Sequence, residues 1–207
     1  MRTFKKGQNN RAFTLIELLV CITIFVIMTA LLLFKYGNFN QSVLLTNLAY
    51  DTALTIRTAQ NYGLSVKAVK DASGADVICS SSNFQCAYGV MLSSDPIGAD
   101  VNNTKFILFA DNNKDGQYNI SAGDRLISTY TLKRGATISL VCAGSESICT
   151  VGSQISINFM RPDPSADICL GTSCGSTYTY AKITIKGTDN TTRSISVRSN
   201  GQISVDI

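Results

Sequence analysis

The chain has 207 residues, 45% of them hydrophobic and only 15% charged, and it contains no histidine. That length suits one ordinary domain plus an anchor, and the missing histidine removes the commonest general base. The net charge of +4 lies wholly in Arg2, Lys5, Lys6 and Arg11; beyond residue 12 acidic and basic side chains cancel, which excludes a generally polycationic binder of nucleic acid.

The first element is "FTLIELLVCITIFVIMTALLLF", Phe13 to Phe34. Its roughly 22 residues suffice to cross a hydrocarbon core of about 30 Å. The basic residues before it belong on the cytoplasmic side by the positive-inside rule. That predicts a single-pass inner-membrane protein with an extracytoplasmic C-terminal domain. Glu17 is the one charge in this run. A charge inside a span ordinarily has a function and a partner, and an ordinary signal anchor gives it neither. No A-x-A cleavage site of a secretory signal peptide follows the span closely.

"RAFTLIELLV" resembles the processing motif of type IV prepilins and type II secretion pseudopilins. In that family a short basic leader ends in a small residue, normally Gly, followed by Phe and, four residues later, Glu. Here Ala12 stands in the Gly position. The resemblance implies cleavage between Ala12 and Phe13 by a membrane prepilin peptidase, N-methylation of Phe13, and an assembly role for Glu17. Stacked subunits would pair the Glu17 carboxylate of one with the Phe13 amine of the next, since an unpaired buried charge costs several kcal/mol. The implied partners are other pilin or pseudopilin subunits, the peptidase, the inner-membrane assembly platform and the membrane.

After the span, Leu45, Leu48, Ala49, Ala53, Ile56 and Ala59 recur at helical spacing, opposite Asn47, Asp51, Arg57 and Gln60. Gly63 is the expected C-cap, and Gly37–Asn38 a weak point. The expected organisation is a leader over 1–12, a membrane and assembly helix over 13–35, its amphipathic continuation over 36–63 and a β-rich domain over 64–207.

That domain holds "KFILFA", "DRLISTYTL", "ATISLVC", "QISINFM", "YAKITIKG", "RSISVRS" and "GQISVDI", read as seven or eight short antiparallel strands. Asn200–Gly201 is the strongest hairpin signal. The fold class is α+β: a long N-terminal helix packed on a β-sandwich-like or two-sheet unit. The order of helix with Arg57-Thr58-Ala59-Gln60, acidic turn and C-terminal hairpin resembles the GspH/FimT-like branch of minor pilins.

Six cysteines lie beyond the span, in three close pairs: Cys79 with Cys86, Cys142 with Cys149, and Cys169 with Cys174. An even count in an exported domain predicts disulfides. Local pairing is the simplest scheme, because each pair brackets a short Gly/Ser-rich turn. Zinc is disfavoured by the absence of histidine and of any C-x2-C pair.

"DNNKDGQYNISAGD" places Asp111, Asn113 and Asp115 at alternate positions before Gly116, as in the first half of a calcium loop. Gln117 would offer its carbonyl, and Asn119 falls at position nine. The bidentate position is Ala122, however, and Asp124 lies two residues beyond it. An acidic turn explains the same residues and is the reading adopted; no cofactor is expected, with Ca2+ as the alternative. Lys182, Lys186, Arg193 and Arg198 form a candidate DNA-contacting set. The balanced mature charge favours solvated edge-strand charge instead. Neither an H-E-x-x-H nor a G-x-S-x-G motif occurs, so no enzyme is expected. The predicted function is structural, a minor pilin or pseudopilin. The alternatives are a DNA-uptake minor pilin and a tethered adhesive domain that does not polymerise.

Overall fold

The computed structural model describes residues 13–65, 70–76, 86–96, 99–174 and 178–206, with backbone alone over 34–40. The chain divides into two compact units, Met1–Asn40 and Gln41–Ile207.

Helix α1 is assigned from Leu15 to Leu64 and includes Gly37 and Asn38. From residue 41 onward its stripe is the one predicted: Leu45, Leu48, Ala49, Ile56 and Ala59 are buried, and Ala53 packs against the same core. Thr52 and Thr55 join the buried face, which they can do because their hydroxyls donate to the carbonyls of Leu48 and Asp51 at 2.8 and 2.9 Å, leaving no unpaired polar atom. Asn47, Asp51 and Arg57 are exposed, as expected. Gly63 is not a cap. It lies within the helix, buried, and a Cβ there would run into the Phe159 main chain. Its role is close approach of helix to strand.

Among the described residues eleven strands follow: β1 (Ala87–Ser93), β2 (Lys105–Asp111), β3 (Arg125–Thr131), β4 (Thr137–Gly144), β5 (Cys149–Gly152), β6 (Gln154–Met160), β7 (Asp163–Leu170), β8 (Ser173–Cys174), β9 (Tyr180–Lys186), β10 (Thr192–Arg198) and β11 (Ile203–Asp206). All pairings are antiparallel. They build two sheets, ordered β3-β2-β1-β6-β7-β8 and β11-β10-β9-β4-β5. The α+β class is therefore as predicted, but the expected strand number was too low. The seven runs read from the sequence are all strands; β1, β5, β7 and β8 were missed. β1 is buried at every position, so it lacks the alternation that marks a half-buried strand. β7 begins in "DPSAD", whose Pro and Asp argue against a strand.

The main core fills the space between the two sheets and the inner face of α1. Leu45 and Ile56 from the helix meet Val90, Leu92, Ile155, Ile157 and Phe159 of the first sheet and Val141, Ile183, Ile185, Ile195 and Val197 of the second. A smaller cluster of Met91, Ile107 and Phe109, with Tyr118 and Leu126 against it, covers the opposite face of the first sheet. The Tyr118 ring lies 5.5 Å from that of Phe109, so the segment that follows β2 folds back over its own strand. The last hairpin turns through Ser199, Asn200 and Gly201. Gly201 N–H donates to the Arg198 carbonyl at 2.9 Å, and its positive φ of 84° makes this a three-residue loop ending in a left-handed Gly. Gln60 bridges helix and hairpin. Its Nε2 donates to the carbonyls of Pro164 and Gly201 at 3.2 and 3.1 Å, so it is a latch and not a solvent-facing residue.

Candidate functional sites

At the N-terminal end, Phe13 is exposed and precedes the helix; Ala12 lies outside the described residues. Thr14 caps the helix: its Oγ1 accepts the Glu17 N–H at 3.3 Å, and its carbonyl accepts the Leu18 N–H at 3.2 Å. Thr14-x-x-Glu17 has the spacing of a capping box, a signal the sequence reading passed over. Glu17 thus sits in the first turn, where free N–H groups and the helix dipole favour an anion. The residues Leu15–Leu33 form a run with mean hydropathy 2.8, long and apolar enough to cross a membrane, and none of it is buried within the protein. Polar side chains in this run are satisfied inside the helix: Thr23 Oγ1 donates to the Val20 carbonyl at 2.8 Å, and Thr29 Oγ1 to that of Phe25 at 2.9 Å. Internal satisfaction is what lipid requires of polar groups. Glu17 has no such internal partner for its carboxylate among the described residues.

The acidic turn is a compact polar knot at the end of β2. The carboxylates of Asp111, Asp115 and Asp124 each offer an oxygen within 4.8 Å of the others. Asp111 and Asp124 are buried, Asp115 exposed. Backbone N–H groups of the turn converge on them. Asp111 accepts from Lys114 at 2.6 Å and Gly116 at 2.8 Å. Asp124 accepts from Asn112 and Asn119, both at 2.8 Å. Asp115 accepts from Gln117 N–H at 2.8 Å and from Asn113 Nδ2 at 2.7 Å. The Asn119 side chain caps the short 3-10 turn Ile120–Ala122 by accepting from Ser121, and the Gln117 amide donates to Cys174 Sγ. Of the residues considered for calcium, the three acids come together, while the Asn119 side chain is engaged in its own turn.

Burial pushes the Asp111 carboxyl up to about 6, helped by the charge of Asp124 and opposed by the Gly116 and Lys114 N–H groups. Asp124 is also raised, by burial first, against its own N–H donors. The turn is latched to both sheet and disulfide. Asn158 Nδ2, buried in β6, donates to the Gly116 carbonyl at 3.0 Å. Gly116 has φ 79°, and a Cβ there would lie 2.5 Å from Cys169 Sγ and 2.9 Å from Cys174 Sγ.

The Cys169–Cys174 and Cys142–Cys149 disulfides are formed, joining β7 to β8 and β4 to β5. Cys86 is disulfide-bonded, and Cys79 lies outside the described residues. Cys21 in the apolar run is a free thiol.

Of the four basic residues considered for DNA, Lys182, Lys186 and Arg198 share one sheet face and Arg193 does not. Register aligns Lys182 with Ser196 and Lys186 with Thr192, and cross-strand partners share a sheet face. Arg193 belongs to the opposite face and reaches the helix, its Nε 3.2 Å from Thr46 Oγ1 and its Nη2 3.0 Å from Ser42 Oγ. Arg198 pairs with Glu146. Two lysines remain.

Comparison with known proteins adds one finding. The family model described as "Prokaryotic N-terminal methylation motif" matches residues 7–33. This segment is type IV prepilin-like, and with the apolar helix it makes a single-pass membrane anchor. No curated protein and no solved structure gives a significant match to the chain.

Proposed function

We propose that the protein is a minor pilin or pseudopilin of GspH/FimT-like type, cleaved between Ala12 and Phe13, N-methylated at Phe13 and assembled into, or at the tip of, a type IV pilus or type II secretion pseudopilus. The observation that carries this reading is the methylation motif over 7–33 on an unburied apolar helix whose one acid, Glu17, lies in the first turn. Two disulfides between described residues, with Cys86 also bonded, suit an exported position. In assembly, the Glu17 carboxylate would meet the Phe13 amine of a neighbouring subunit, delivered by the peptidase and the inner-membrane platform. DNA uptake is disfavoured by the separate engagements of Arg193 and Arg198. The acidic turn is read as structural and not as a calcium centre, since its N–H groups already hold each carboxylate.

Capping and assembly make different demands on Glu17, so they can be separated. A glutamine also completes a capping box but carries no charge. Glu17→Gln should therefore keep insertion, cleavage and N-methylation, read by mass spectrometry of the mature N-terminus, and lose incorporation into filaments. Filaments that contain Glu17→Gln at wild-type level would leave Glu17 as a cap alone. An unprocessed N-terminus in the wild type would favour the tethered adhesive domain.

A further inference from the structure

We propose that Asn190, at the tip of the β9–β10 hairpin, is an N-glycosylation site, its side-chain amide taking an oligosaccharide from a lipid-linked pyrophosphate donor. The acceptor signal Asn-x-Ser/Thr, with x not Pro, occurs at Asn40, Asn102, Asn119 and Asn190. A motif this short arises by chance, so the fold has to decide which copy is usable. The transfer makes two demands. The amide must be free to leave the protein surface, and the hydroxyl two residues further on must be free to be read by the transferase.

Three copies are engaged within the fold. Asn102 is half-buried, and its Oδ1 accepts from its own Thr104, from the N–H at 2.9 Å and from Oγ1 at 2.8 Å. Amide and hydroxyl there hold each other. The Asn119 Oδ1 accepts from Ser121 N–H at 3.0 Å, and withdrawing it uncaps the 3-10 turn beside the acidic cluster. The signal at Asn40 reads Ser42, whose hydroxyl accepts from Arg193 Nη2 at 3.0 Å.

Asn190 meets both demands. The turn over 187–191 closes without its side chain. Gly187 N–H donates to the Thr191 carbonyl at 2.9 Å and Asn190 N–H to the Gly187 carbonyl at 3.2 Å. Asp189 Oδ1 accepts the N–H and the hydroxyl of Thr191 at 3.1 and 2.7 Å. Asn190 has φ 65°, a left-handed conformation in which Asn is enriched. Its side chain is exposed and makes no hydrogen bond among the described residues, and Thr192, whose hydroxyl completes the signal, is exposed as well. The turn also stays within chain reach of the anchor. A Cβ on Gly187 would lie 3.8 Å from Leu45 Cδ2. From Leu33, the end of the apolar run, to Leu45 the chain extends at most about 43 Å. A membrane-held donor is therefore accessible. In the transfer, Asn190 Nδ2 attacks the anomeric carbon of the first sugar. The C–N bond forms as the C–O bond to the pyrophosphate breaks, the lipid pyrophosphate leaves with the electron pair, and one amide proton passes to solvent.

The inference needs export and not filament assembly. It is tested by peptide mass spectrometry of the full chain, purified in detergent from membranes of the cells that encode it. The peptide containing Asn190 should carry a glycan, seen as an added mass with sugar fragment ions, while those containing Asn40, Asn102 and Asn119 stay bare. Asn190→Asp, which keeps a residue tolerant of the left-handed turn, and Thr192→Ala should each abolish the glycan; Thr192→Ser should retain it. A bare Asn190 in the wild type overturns the proposal, and the Cys142–Cys149 link, read in the same digest, shows whether the export reading falls with it. Equal occupancy at Asn102 or Asn119, or a glycan on the Asn190 peptide that survives Thr192→Ala, also overturns it.

Discussion

Asp111 contributes a pH dependence of stability opposite in direction to that of most carboxylates. Its carboxyl has a pKa near 6 in the folded protein and about 3.9 in an unfolded chain. Between those values the native state binds more protons than the unfolded state, so stability falls as pH rises. The favourable contribution is fully present below about pH 4, declines through about pH 6 and is absent above it. Two pH units at about 1.36 kcal/mol each bound the effect near 3 kcal/mol, and water reaching the exposed Asp115 side of the cluster reduces it. Asp124, raised for the same reason, adds in the same direction. Urea denaturation of residues 41–207 can measure this, because the main core is drawn entirely from that unit. Stability should drop by about 2–3 kcal/mol from pH 4 to pH 6.5. Asp111→Asn should start less stable, since one buried N–H loses its acceptor, but lose much of that slope. A wild type whose stability climbs across the window, or an Asp111→Asn variant with an unchanged slope, refutes the reasoning. Calcium at millimolar concentration should leave both curves in place. A calcium-dependent rise confined to high pH would mean that a cation neutralises the cluster, by mass action on the folded form.

Gly116→Ala should destabilise the same unit by about 2–4 kcal/mol, read as a lower urea midpoint, because a Cβ meets the Cys169–Cys174 sulfurs at an unfavourable φ. Phe159→Ala, in the core centre, should cost about 3–5 kcal/mol; a smaller loss would show that the sheets collapse onto the cavity. Gln60→Ala should cost about 1 kcal/mol and speed amide exchange around Gly201, while a uniform change in exchange would contradict a local latch.

What was legible in the sequence was whatever depends on near neighbours along the chain. Hydropathy marked the apolar run, helical spacing marked Leu45 to Ala59, and alternation marked seven strands. Processing and methylation motifs are read by enzymes as short stretches, so "RAFTLIELLV" speaks without a fold. Two local disulfide pairs followed from spacing and compartment. The tertiary structure decided everything that rests on approach between distant segments. Gly63 looked like a helix cap because a cap is the local reason for glycine; only the Phe159 backbone beside it shows the reason is space. β1 gave no periodic signal because both of its faces are covered, and burial on both sides erases alternation. Arg193 lay close in sequence to Arg198, Lys182 and Lys186, yet the pleat sends it to the opposite face, where packing gave it to the helix, while Arg198 stays on the face of the lysines and pairs with Glu146. The Asp111, Asp115 and Asp124 cluster was visible as composition. Its raised carboxyl arises from burial where the turn is latched to Asn158 of β6 and packed on the Cys169–Cys174 bridge, contacts that no window of sequence contains.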